Sequence, residues 1–355
     1  MWEVLVLTYL PILYLLAYTF KALANKHLAR THVGLIVLFT VVMIAAIGLY
    51  PDDLSIDKPR YANMYARSLL EGDSTEFRDP GWAVYTSLCG MIFGVHIDLF
   101  FLLTALLYVG GVFWMSRITF PKEYIGYFIV MSAGCLGFSN YGTNVIRAGL
   151  AVSLLLLAYS LKIKTIFRLL IAIVAISFQI SMIIPFVAFI GSKYIKHTKL
   201  AILFWFLCLL LSAANFDMGI IFENFGFVDE RVDKYVNTID DVGGRYNKGF
   251  RLDFLLYSIA PLMISFYYIS IKKIKDAQYY HIVKTYLLAN AVWLLAIRIA
   301  YSDRLAYLSW FMIPFLTLYP VIIYKQKFRY PQQILLVVMY IFMGVNLALA
   351  LRSVI

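Results

Sequence analysis

Apolar residues run through this chain in long blocks, not in alternation. Segments can be drawn at about 3–20, 32–49, 81–96, 97–116, 124–138, 144–161, 168–190, 200–214, 252–271, 283–300, 305–324 and 332–351. About 20 apolar residues of helix cross a hydrocarbon core, and backbone groups inside lipid must be satisfied within the segment. The pattern therefore predicts an all-α, polytopic integral membrane protein of about 10–12 transmembrane helices, some of them re-entrant or broken, forming one membrane domain over 1–355. The first run, Val4 to Phe20, lacks a basic flank before it. It reads as an uncleaved first span, although Ala22-Leu23-Ala24 resembles a cleavage site.

The polar intervals set direction. Links 21–31, 191–199, 272–282 and 325–331 are rich in lysine and arginine and belong on the cytoplasmic side. Two intervals are longer, 50–80 and 215–250, and each carries seven acidic against four basic residues. Both are expected as periplasmic loops carrying short surface helices. In the first, Asp57, Pro59 and Gly72 bound a helix with Tyr61, Tyr65 and Ser68 on one face and Arg60, Met64 and Arg67 on another. In the second, Val228, Val232, Tyr235 and Val236 recur at helical spacing before Asp240-Asp241-Val242-Gly243-Gly244.

Strict alternation of the twelve segments puts the links holding Arg117 and Lys122, and Lys162, Lys164 and Arg168, on the wrong side. If 81–96 and 168–190 are odd elements, such as a re-entrant hairpin or a pair of half-helices, every basic link becomes cytoplasmic and Arg147 opens to the periplasm. Asp79-Pro80-Gly81 and Ser177-Phe178-Gln179-Ile180-Ser181 supply the breaks. Broken helices are tolerated at membrane depth where they line a wet cavity.

Composition narrows the function. Of 355 residues, 62% are hydrophobic and 14% charged, with a net charge of +11. The basic residues sit mostly in short links, so they are orientation signals and contacts to anionic membrane lipids, and nucleic acid is not an expected partner. Cys89, Cys135 and Cys208 lie in apolar runs at no ligand spacing, and the five histidines are scattered. No metal or cofactor is expected.

The chemistry concentrates around Ser139-Asn140-Tyr141-Gly142-Thr143, a polar turn opening a helix with Arg147 about one turn inside it. A charge there costs on the order of 2.5–3.5 kcal/mol, so Arg147 either snorkels to the interface or faces a polar cavity and holds an anion. Further arginines and tyrosines fall on the same expected side: Arg60/Tyr61, Arg78/Asp79, Arg245/Tyr246, and Arg298, Tyr301 and Arg304. Guanidinium forks bind phosphate bidentately, and an aromatic belt with snorkelling arginines is the alternative for any one of them. The candidate bases are Asp53, Asp79 and Asp303, and for each of them a helix cap or an ion-pair partner is the commoner reading. Gln179 can donate to a ligand oxygen or satisfy a helix kink.

The acidic first loop with its tyrosines, the Asp79-Pro80-Gly81-Trp82 helix start, Asn144-x-x-Arg147-x-Gly149-Leu150-Ala151 and the Phe178-Gln179-x-Ser181 break together resemble the EpsG family of Wzy-type polysaccharide polymerases. That family more often has Gln after the arginine, where this chain has Ala148, and His where this chain has Gln179. The resemblance implies a bacterial inner-membrane glycosyltransferase that joins oligosaccharide repeat units carried on undecaprenyl pyrophosphate, with a chain-length regulator as a partner. It implies Arg147, helped by Arg298 and Arg304, at the pyrophosphate and Asp303 or Asp79 as base. Arg60, Tyr61, Tyr65, Arg78, Asn144, Gln179, Arg245, Tyr246 and Tyr301 are left to substrate. Two other readings stay open: a glycosyltransferase using a polyprenyl-phosphate sugar, and a flippase or other transporter. The long acidic loops speak against the transporter, which usually keeps its charges at mid-membrane.

Overall fold

The computed structural model describes residues 2–24, 32–70, 79–161, 163–214, 216, 249–298 and 302–352, and among them every regular element is helical. In chain order these are α1 (Trp2–Ala24), α2 (Val33–Gly48), α3 (Lys58–Leu70), α4 (Pro80–Phe93), α5 (Ile97–Thr119), α6 (Ile125–Gly134), α7 (Phe138–Thr143) and α8 (Ile146–Ser160). There follow α9 (Thr165–Phe178), α10 (Ile183–Tyr194), α11 (Thr198–Ala213), α12 (Leu252–Phe266), α13 (Ala277–Leu295), α14 (Ser302–Trp310), α15 (Ile313–Ile323) and α16 (Pro331–Arg352). Four helical stretches, Ile97–Thr119, Leu252–Ile271, Ser302–Ile323 and Pro331–Leu349, are long and apolar enough to cross a membrane, and six shorter apolar helices accompany them. The chain is an all-α polytopic membrane protein.

The helices follow the apolar blocks closely, and the departures have local causes. The block 168–190 is two helices, α9 and α10, separated by Gln179 in extended conformation and a 3-10 turn, Ile180–Met182. The helix α4 has 14 residues and spans roughly 21 Å, short of a hydrocarbon core of about 30 Å. The block 124–138 ends early, because α6 stops at Gly134. The polar stretch read as a turn, 139–143, is itself the short helix α7, with Phe138, Tyr141 and Thr143 buried.

The described residues group into two compact units, Met1–Ile183 with Val321–Ile355, and Ile184–Pro320. In the first, α8 packs on α5, α7 and α9, and α1 lies against α2, α6 and α16. A core of Tyr61, Met64, Tyr65, Trp82, Phe100, Phe101, Ile146 and Leu150 joins α3, α4, α5 and α8. The expected surface helix in 50–80 is α3, but its tyrosine face is turned into this core. Two glycines permit the tightest approaches: an added Cβ at Gly149 would lie 2.3 Å from the Tyr141 carbonyl oxygen, and one at Gly81 would lie 2.2 Å from Ser177 Oγ.

The second unit is held by a buried polar network. Trp205 Nε1 donates to Asn290 Oδ1 at 2.8 Å, Asn290 Nδ2 donates to Ser309 Oγ at 3.0 Å, and Trp310 Nε1 donates to Ser258 Oγ at 2.7 Å. Tyr286 donates its hydroxyl to the Ser258 carbonyl at 3.0 Å, so α11, α12, α13 and α14 are tied together by groups that would be costly to leave unpaired in lipid.

Gly149→Ala should open the α7–α8 junction, because backbone cannot swing aside as a side-chain tip can. The expected cost is about 1–3 kcal/mol, read as a lowered unfolding temperature in detergent. Gly110→Ala in α5 meets nothing nearer than Leu106 Cδ1 at 3.8 Å and should leave stability unchanged or raised.

Candidate functional site

The residues that the sequence singles out at three separate places meet at one point in the first unit. Arg147, in the first turn of α8, places Nη1 2.5 Å from Asp79 Oδ2, with side-chain exposures of only 11% and 6%. Asp79 occupies the N-cap position of α4 yet makes no capping bond to its own helix. Its other oxygen, Oδ1, accepts the backbone N–H of Ile180 at 3.1 Å. That N–H is freed where the chain breaks at Gln179, so Asp79 caps the turn that restarts the helix across the gap, a partner 101 residues away. The Nε of Arg147 donates to Tyr61 Oη at 3.4 Å, and the guanidinium lies 5.7 Å from the Tyr61 ring centre. Among the described residues Nη2 makes no hydrogen bond.

Arg147 is therefore neither free nor snorkelling. A buried arginine paired with one carboxylate is close to neutral as a pair, but its setting is not. Three helix N-termini converge here, those of α4 at Pro80, of α8 at Ile146 and of the restart at Ile180. Each contributes a partial positive charge to the surroundings of the pair.

Around this pair the other candidates divide. Tyr61 is buried and packs edge-on against Trp82, 5.6 Å between ring centres. Tyr65, expected along a glycan path, is fully buried instead, its hydroxyl donating to the Gly94 carbonyl at 2.9 Å and to that of Cys89 at 3.2 Å. Asn144 is a fastener: Oδ1 accepts from Ser55 Oγ and from the Ile56 N–H, both at 2.9 Å, and pins the 50–57 segment to the α7–α8 junction. Gln179 Nε2 donates to Ser181 Oγ at 3.3 Å, spanning the break it lies in. Arg60, Asn63, Met64 and Arg67 line an open groove of about 500 Å³ on the outer side of α3. Asp53 is exposed.

In the second unit, Arg298 Nε donates to the Ser212 carbonyl at 3.1 Å, capping the end of α11, and its guanidinium lies 5.4 Å from the Phe250 ring centre. Asp303 accepts a hydrogen bond from Tyr307 and faces the charges of Arg304 and Arg251. Arg251 itself forks onto Asp253 at 2.7 and 2.9 Å. Arg78, Arg245, Tyr246 and Tyr301, with the expected helix in 215–250, lie outside the described residues.

Two participants escaped the sequence reading. The Ile180 backbone N–H has no side-chain signature. Lys58 looked like an ordinary loop lysine, yet it is buried, donates to the carbonyls of Gly48 and Tyr50, pairs with Asp52 at 3.1 Å and lies 4.5 Å from the Phe101 ring centre. It caps the end of α2 and so holds α3 in place for Tyr61.

A polytopic helical protein with a buried arginine–aspartate pair beside three helix starts is a membrane protein. The chain belongs to the EpsG family, whose sequence model matches residues 5–353, and so is of the polysaccharide-polymerase type. No curated protein and no solved structure matches it.

Because each partner leaves the other as an uncompensated buried charge, Asp79→Ala and Arg147→Ala should each cost about 3–5 kcal/mol, and the double variant should cost less than both together. Unfolding in detergent across the double-mutant cycle measures the coupling. Additive losses would mean that the two side chains do not interact.

Proposed function

We propose that this protein joins oligosaccharide repeat units carried on undecaprenyl pyrophosphate, at the periplasmic face of a bacterial inner membrane, by glycosyl transfer with polyprenyl pyrophosphate as leaving group. The observation that carries the reading is the convergence of three helix N-termini on Arg147. In the reaction the bond between the anomeric carbon and the pyrophosphate oxygen breaks, and the oxygen leaves with the electron pair. The acceptor hydroxyl forms the new bond and loses its proton. The sugar thus brings its own leaving group, and the protein must align two lipid-linked glycans, neutralise the departing diphosphate and take one proton.

Arg147 suits the second task. Tyr61 and the helix ends hold it without reorganisation, and among the described residues Nη2 makes no hydrogen bond that a phosphate oxygen would have to replace. The groove on α3 suits the first task, with Arg60 and Arg67 flanking Asn63 beside the same helix that carries Tyr61. A chain-length regulator is the expected partner, and no cofactor enters the scheme.

Arg147→Ala should lower turnover by roughly 10²–10³, the size of a charge-assisted contact to the transition state. Cells carrying it should cap their lipid with a single repeat unit and lose the ladder of longer polysaccharide. A transporter mutant would instead show no repeat unit at the surface. A full ladder from normally expressed Arg147→Ala protein would overturn the proposal.

Orientation has its own test, since the native cysteines are all buried. With the outer membrane permeabilised, an impermeant maleimide should label Leu54→Cys, at a position 49% exposed, and spare Lys122→Cys, at an exposed position, until the inner membrane is broken. Equal labelling of both in intact cells would restore strict alternation and place Arg147 on the other side.

A further inference from the structure

Asp79 does two things at once, one with each carboxylate oxygen. Its Oδ1 caps the Ile180 turn at 3.1 Å, while Oδ2 sits on Arg147 Nη1 at 2.5 Å. The cap ties Asp79 to the Ile180 turn independently of Arg147, so the carboxylate keeps an anchor when Oδ2 changes partner. Arg147, for its part, keeps a hold on Tyr61 through Nε that does not involve Asp79.

A carboxylate oxygen on a guanidinium has nearly the geometry of a phosphate oxygen on the same group. Under three helix N-termini, the more highly charged anion is the better match for the site. Resting on the polymerase reading above, we infer that Asp79 holds the place on Arg147 that a phosphate oxygen of the lipid-linked donor takes during turnover, and that this exchange makes Asp79 the acceptor of the hydroxyl proton. Binding of the diphosphate moves Nη1 from Asp79 to the phosphate. Oδ1 stays on the Ile180 N–H, so the carboxylate remains in the site with Oδ2 unpaired. When the sugar leaves pyrophosphate, the diphosphate takes the electron pair and is neutralised by Arg147, the acceptor oxygen bonds to the anomeric carbon, and its proton goes to Oδ2. Product release returns the proton to water and Oδ2 to Arg147. The base is thus unmasked only when the leaving group is in place, which withholds it from water between turnovers.

The experiment measures inorganic pyrophosphate binding to the purified full chain in nanodiscs by the fluorescence of Trp82, 5.6 Å from Tyr61 between ring centres. Asp79→Asn keeps the shape and removes the competing charge. It should bind pyrophosphate roughly tenfold tighter than wild type, the scale of one charge-assisted contact no longer contested, while turnover of lipid-linked repeat units is lost. Asp79→Ser, which can cap α4 itself, should tighten binding in the same direction. In the unsubstituted chain, pyrophosphate should shift a carboxylate stretching band in the difference infrared spectrum. An unchanged carboxylate region, or unchanged or weaker binding in both variants while Arg147→Ala loses it, overturns the exchange and leaves the polymerase reading intact. Wild-type turnover in Asp79→Asn overturns the base. Wild-type binding in Arg147→Ala would instead remove the anion site on which the polymerase reading stands.

Discussion

The first unit is arranged around one buried ion pair. Taking an arginine and an aspartate out of water costs several kcal/mol for each ion, and their attraction offsets this only when the remaining donors and acceptors are also satisfied. Here Asp79 has the Ile180 N–H on its second oxygen, Arg147 has Tyr61 on Nε, and three helix starts add positive potential around the carboxylate. These requirements explain the neighbouring sequence. The α7 backbone must come within reach of α8, which Gly149 permits, and α4 must come against the end of α9, which Gly81 permits. Asn144 and Lys58 then fix the segment that delivers Tyr61.

The second unit solves a different problem. Its buried polar groups are neutral, and Asn290, Ser258 and Ser309 satisfy one another and two tryptophan N–H groups across four helices. The bonds of this network run among its own members, as membrane burial demands. Arg298 and Arg251 there are engaged with a helix end and a neighbouring carboxylate. In the first unit Arg147 is instead held at a helix junction by a buried carboxylate and a buried tyrosine, and this setting, not the number of arginines, singles it out.

A polymerase acting on two lipid-linked chains needs a site that is polar but closed to bulk water until substrate arrives. On the proposed function, a pair that is nearly neutral by itself, set in a positive field, suits that need: it is stable in a buried setting and can give way to a diphosphate. Breaking the helix at Gln179 supplies both the N–H that anchors Asp79 and one of the helix starts.

How much of this was legible in the sequence follows from the range over which each signal acts. The places of the apolar helices and the break at Gln179 were readable because hydrophobic periodicity and breakers are written along the chain within a turn or two. Arg147, Asp79 and the Phe178-Gln179 break could be singled out too, from polar groups placed where lipid should exclude them. Their mutual contact was not, because Arg147 and Asp79 are 68 residues apart and Asp79 and Ile180 are 101 apart, and no local pattern records which helix ends become neighbours. The inward turn of Tyr65 and the burial of Lys58 were hidden for the same reason: on an amphipathic helix the sequence determines two faces, but only packing decides which of them meets the core.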